Sequence, residues 1–169
     1  MTREGALLVT AVVALGLLGL LAWSWWRRAR RDAKLLAPVG EPPAAASTLA
    51  AFESLYVATT RHGEPLERLA IKGLGFRSRA AVTVTDAGVA LDLTGQPRVF
   101  LPADRITDVA QATLAIDRVV ERDGLARLSW RLDDGTVVDS YLRPQDASAR
   151  ALTDAVARIL HPTQTGSDA

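Results

Sequence analysis

The stretch AVTVTDAGVALDL, residues 81–93, decides the fold. Val82 and Val84 alternate with Thr83 and Thr85, Asp86 to Gly88 carries turn chemistry, and the alternation resumes at Val89, Leu91 and Leu93. A period of two places the aliphatic residues on one face of a pleated strand and the polar residues on the other. The stretch therefore predicts two half-buried antiparallel strands joined by a tight turn.

The same punctuation continues toward the C-terminus. Leu128, Trp130 and Leu132 form a third apolar face opposed by Arg127, Ser129 and Arg131. Asp123-Gly124 and Asp133-Asp134-Gly135 mark two more turns, and a strand is predicted over 136–142. The period then changes. Over 145–160, Leu152, Val156, Ile159 and Leu160 share one helical face, while Asp146, Arg150, Asp154 and Arg158 recur every fourth residue on another. Pro162 ends that helix, because the residue before a proline resists helical geometry. The predicted fold class of this part is α+β: an antiparallel β-barrel or sandwich of about six or seven strands capped by one C-terminal amphipathic helix.

Toward the N-terminus the pattern breaks twice. Pro38, Pro42 and Pro43, followed by an Ala-rich run, read as a spacer with little apolar content to pack. Before it, no residue between Glu4 and Arg27 is charged, and the apolar run over 6–26 is 21 residues long. At about 1.5 Å per residue this run reaches roughly 30 Å, the hydrocarbon thickness of a bilayer. Trp23, Trp25 and Trp26 gather at its end, where an indole suits the headgroup boundary, and Arg27, Arg28, Arg30 and Arg31 follow. The positive-inside rule keeps these arginines on the cytoplasmic side and leaves the N-terminus outside. A cleaved signal has basic residues before its apolar core and small residues after it, and the order here is reversed. The predicted organisation is a short extracytoplasmic segment at 1–5, a transmembrane helix at 6–26, a basic juxtamembrane segment and Pro/Ala-rich linker at 27–48, a folded domain at 49–161 and a disordered tail at 162–169. The lipid bilayer of the cell membrane is thus the first predicted partner.

Charge divides unevenly along the chain. Residues 27–34 hold five basic side chains against Asp32, whereas residues 45–169 hold 14 basic against 16 acidic. A nucleic-acid binder needs an excess of positive charge to neutralise phosphates, so no nucleic-acid partner is predicted. The chain has no cysteine, which removes disulfides, thiolate metal sites and a thiol nucleophile together.

A meander of strands closed by one helix is similar to the pleckstrin-homology (PH) fold. The local strings Tyr56-Val57-Ala58-Thr59-Thr60, Gly73-Leu74-Gly75-Phe76-Arg77-Ser78-Arg79-Ala80, Leu101-Pro102-Ala103, Val119-Val120 and Ser129-Trp130-Arg131-Leu132 resemble, in order, those of a family of actinobacterial PH-like domain proteins that carry one N-terminal membrane helix. Ala58 departs from that family's glycine. The resemblance implies a membrane-associated PH-like module, in a family whose members are sometimes labelled transport or export proteins.

No catalytic residue, cofactor or metal is predicted. His62 lies in a turn with Gly63, His161 lies at a helix end, and Asp133-Asp134-Gly135 has the composition of a hairpin turn rather than a cation site. Gly73-Leu74-Gly75-Phe76 repeats the letters of a carboxylate-binding loop of PDZ domains, and equally suits a turn or bulge between strands. The candidate ligand patch is basic: Lys72, Arg77 and Arg79 surround this turn, where PH domains often bind an anionic lipid headgroup. The predicted function is a non-enzymatic, membrane-tethered interaction module that docks a protein partner or an anionic lipid headgroup. The alternative is an accessory subunit of a membrane transport or envelope complex.

Overall fold

In a computed structural model of the protein, the described residues are 3–32, 35–115, 118–119 and 124–160. The chain forms two compact units, Met1–Lys34 and Leu35–Ala169.

The first unit is a single helix, α1, over Arg3–Asp32, 30 residues long. It has no proline to break it and confines its charges to its ends. Side chains as far apart around the axis as Leu15, Leu17 and Leu18 are all exposed, so the helix is apolar on every side. Near its C-terminal end Arg27 lies over the Trp23 ring at 5.5 Å and Arg30 over the Trp26 ring at 3.8 Å. These are i,i+4 neighbours on one surface, and each cation faces the negative side of an indole. Among the described residues no helix is long and apolar enough to cross a membrane. The side chains of Ala6, Leu8, Trp25, Arg28 and Arg31, which belong to the span at 6–26 and the basic end that the sequence predicts, lie outside the described residues.

The second unit is built on one antiparallel sheet of eight strands. These are β1 (Thr48–Arg61), β2 (Glu64–Arg68), β3 (Ser78–Thr85), β4 (Gly88–Leu93), β5 (Val99–Pro102), β6 (Ile106–Ala112), β9 (Leu125–Arg131) and β10 (Val137–Pro144). The order is β5-β4-β3-β1-β10-β9-β6, with β2 paired to β1 outside that path. A separate two-stranded sheet joins β7 (Leu114–Ala115) and β8 (Arg118–Val119). β1 is the hinge of the architecture. Its first part pairs with β3 and its second with β10, and a bulge between Tyr56 and Ala58 marks the transfer. Tyr56, Val82, Leu91 and Leu101 from one half of the sheet join Leu128, Trp130 and Leu142 from the other in a single core. The helix α2 (Ala149–Leu160) packs against β6, β9 and β10 and adds Leu152 and Val156 to that core.

The sequence reading and the structure differ at five places. The sheet has eight strands and a two-stranded companion, not six or seven. The long β1 has no clean alternation from Thr48 to Arg61, because its second half is buried on both faces. The helix begins at Ala149 rather than 145. Ser148 caps it by accepting from the Ala151 N–H at 3.1 Å. Asp146 instead receives the Glu53 N–H on both carboxylate oxygens, and of the expected charge ladder Arg150 and Asp154 form the i,i+4 pair at 3.6 Å. Ser129, expected on the polar face, is fully buried. Finally, residues 35–46, read as part of a free linker, belong to the domain. Ala37 is buried, Pro38 accepts from the Phe100 N–H, Gly40 donates to Arg98, and Glu41 pairs with Arg98, which also holds Asp92. A proline-rich segment is poor in apolar side chains, but an extended segment needs only backbone partners to dock on a sheet edge. The tail at 162–169, His161 and Asp123 lie outside the described residues.

Gly88 follows the β3–β4 turn with φ 153°, and a Cβ there would run into the carbonyl of Leu101 on the neighbouring strand. Gly95 has φ 75° but open space around it. Gly88→Ala should therefore cost roughly 2–4 kcal/mol and Gly95→Ala about 1 kcal/mol, checked by urea unfolding followed by circular dichroism. Equal losses for the two would contradict the close approach of β4 and β5.

Candidate functional site

The loop between β2 and β3 gathers the candidate cations. Its apolar residues Leu69, Ile71 and Leu74 are buried, and this alternation turns Lys72 outward. Gly73, at φ 90°, lets the chain reverse so that the Leu74 N–H reaches the Ile71 carbonyl at 3.0 Å. Phe76 and Arg77 then project from the tip, and Arg79 stands in β3 opposite Leu55. Lys72, Arg77 and Arg79 are all exposed, and among the described residues no carboxylate pairs with any of them. By contrast, Arg61, Arg98, Arg105 and Arg127 are each committed to an acidic partner. The loop also receives the start of the domain: the Lys72 N–H donates to the Leu35 carbonyl at 3.4 Å, and Leu36 bridges to Lys72. The basic loop thus lies where the chain enters the domain.

What fixes this loop is a chain of buried hydrogen bonds. Trp130 Nε1 donates to Ser140 Oγ at 2.9 Å, Ser140 Oγ and Thr59 Oγ1 are 2.7 Å apart, Thr59 Oγ1 and Tyr56 Oη are 2.8 Å apart, and Tyr56 donates to the Leu74 carbonyl at 2.7 Å. A hydroxyl has one proton, and the Leu74 carbonyl can only accept. Tyr56 therefore accepts from Thr59, and Thr59 from Ser140, so each group donates once. Burial pushes the Tyr56 phenol well above its ordinary range, which keeps its proton available for Leu74. Three of the sequence strings, those at Tyr56, Gly73 and Ser129, are parts of this one construction.

The structure supplies a partner that sequence reading did not find for His62. Its Nδ1 lies 2.8 Å from Oδ1 of the buried Asp139, which also accepts from Ser129 Oγ at 2.6 Å and from the Gly63 N–H at 3.3 Å. Serine, acid and histidine meet here in a structural order: Ser129 gives its proton to the carboxylate, not to the imidazole, and its oxygen is buried. That arrangement does not activate a nucleophile. Asp133 pairs with Arg105, and Asp134 accepts from the Thr136 N–H, which lowers its carboxyl below the usual range. The two side chains thus hold a hairpin turn. Nor do Gly73 and Gly75 form a carboxylate cradle beside a helix, since the loop leads from strand to strand and the Leu74 N–H is already used.

Two further features were not foreseen. Phe76 is 85% exposed, which neither the turn nor the carboxylate-loop reading of the letters around it implied. A groove of about 520 Å³ also runs between β6 and the end of α2, lined by Ile106, Val109, Ile159 and Leu160 with Asp104 and Asp108 beside them. Among the described residues β6 is the last strand of the sheet and pairs only with β9.

An antiparallel sheet folded over one core and plugged by a C-terminal helix is the architecture of a PH-like domain. Residues 36–158 match the bacterial PH domain-like family, and the chain belongs to that family. The match begins one residue after the domain boundary seen in the structure. No curated protein sequence matches the chain. Among solved structures it is similar to the C-terminal domain of an unknown protein from Leishmania infantum, at 12% identity and a TM-score of 0.45, over 70% of this chain and 88% of that one.

Tyr56→Phe removes the last donor of the buried chain and leaves the Leu74 carbonyl unpaired. It should cost about 1–2 kcal/mol and raise amide exchange selectively around residues 72–76. Protection unchanged at those amides would show that the loop does not depend on Tyr56.

Proposed function

We propose that the protein is a membrane-tethered PH-like module whose β2–β3 loop docks on anionic lipid headgroups at the cytoplasmic face. The observation that carries this reading is three exposed cations without acidic partners among the described residues, Lys72 and Arg77 on a loop that Tyr56 ties to the core and Arg79 at the start of the strand that follows. A phosphate group can take charge-assisted hydrogen bonds from lysine and arginine alike. The tether adds proximity. The apolar run at 6–26, the tryptophans beside it and the arginines after it fit a retained single-pass helix with its basic end in the cytoplasm. Covalent attachment to such a helix would keep the domain, and with it the loop bonded to Leu35, at a high effective concentration near the membrane.

The groove beside β6 supports a second reading, that the module also docks a protein. An extended segment can add to an open strand edge while seating an apolar side chain against Ile159 and Leu160. The two surfaces use different elements of the domain and do not compete.

The domain over 35–169 contains the whole of the main core and is the natural test piece. It should bind vesicles containing anionic lipid and not neutral ones. Each basic residue near such a surface contributes about 1 kcal/mol, so Lys72→Ala with Arg77→Ala should weaken binding roughly thirtyfold. Equal binding to neutral vesicles, or no loss in the double variant, would end the headgroup reading. Retention of the full chain in alkali-washed membranes, and its release when residues 1–34 are removed, tests the tether separately.

A further inference from the structure

We propose that Phe76 is a bilayer anchor: its phenyl ring enters the leaflet below the headgroups that Lys72, Arg77 and Arg79 hold. This deepens the headgroup reading and rests on it. The loop buries Leu69, Ile71 and Leu74 and leaves its largest apolar side chain outside, 85% exposed. That exposure does not come from a loose backbone, because Leu74, two residues earlier, is pinned by Tyr56 at 2.7 Å. Burying Phe76 in water-free surroundings is favourable, and the described residues leave it almost wholly uncovered. The surface that completes the site must therefore be apolar where the ring points and anionic immediately around it.

A leaflet with anionic lipids has this layering, with acyl chains below and phosphates above. A second exposed apolar side chain supports it: Leu36, which bridges to Lys72 through its backbone, is 54% exposed beside the same cation. A soluble phosphate would satisfy the cations and leave the ring in water, so the ring selects for a membrane. Phe76 and the cations act together, each weak alone: the ring fixes depth and the cations fix the lipid class.

The absence of cysteine makes the test clean. Phe76→Cys in the full chain, carrying a nitroxide whose apolar ring stands in for the phenyl, is reconstituted in nanodiscs of phosphatidylcholine alone or with phosphatidylglycerol. Ala151→Cys, on the exposed side of α2, is labelled as the reference. In anionic discs the label at 76 should lose collisions with a water-soluble nickel chelate and gain collisions with oxygen. It should return to the aqueous pattern in neutral discs or with Lys72→Ala and Arg77→Ala, while the label at 151 stays aqueous throughout. A label at 76 that remains aqueous in anionic discs overturns the anchor. If vesicle binding by the domain still falls in the double variant, the headgroup reading survives that result, and if it does not, both fall. Equal shielding in neutral and anionic discs also overturns the proposal, since the cations would then not seat the ring.

Discussion

The hydrogen-bond chain from Trp130 through Ser140, Thr59 and Tyr56 to Leu74 is the constraint on which the rest of the domain depends. It crosses from β9 through β10 to β1, then leaves the sheet to end on a loop carbonyl. Each bond contributes only about 1 kcal/mol net, but leaving any member unpaired in the core costs about 1–3 kcal/mol. The chain is therefore a strong specifier of geometry even though it adds little to stability. It also has a direction. An indole can only donate and a carbonyl can only accept, so the three hydroxyls between them have one satisfying orientation.

This construction explains why a loop can be both glycine-rich and well placed. Gly73 supplies the reversal, Leu69, Ile71 and Leu74 pay with burial, and Tyr56 closes the far end. The same loop receives Leu35 and Leu36, so the beginning of the domain and its basic tip are one site. Arg98 clamps the following residues through Glu41, extending the domain's start along β4 and β5. What composition marks as a linker is here an edge segment, held by backbone hydrogen bonds to Arg98 and Phe100.

The parts of the fold that were legible are those where one face is wet. β3 follows its alternation closely and α2 its apolar stripe, whereas β4, expected to be half-buried, is buried at every position but Asp92. β1 was not legible as one strand because its second half, including Thr59 and Thr60, is buried on both sides, so polar residues stand where a solvent face would be. Ser129 misled for the same reason, its hydroxyl being satisfied by Asp139, which lies far along the chain. The basic loop could be named from Lys72, Arg77 and Arg79, but not the absence of competing carboxylates among the described residues, which depends on how distant strands fold. Nor could exposure of Phe76 be read, since an isolated aromatic between glycine and arginine is equally a core residue in sequence. The domain's slight acidic excess spoke only against nucleic acid.

That excess is better understood as a constraint on orientation. An acidic body is repelled by an anionic leaflet except where cations are concentrated, so a domain that approaches such a surface is turned toward it basic loop first. Three cations at about 1 kcal/mol each give a dissociation constant of only several millimolar. A free domain in a cell would scarcely be bound at that strength. A short tether changes the arithmetic, because it holds a linked site at an effective concentration in the millimolar range. Under the proposed arrangement docking then lies close to its midpoint, and the small further stabilisation from a partly buried phenyl ring is enough to decide between bound and free.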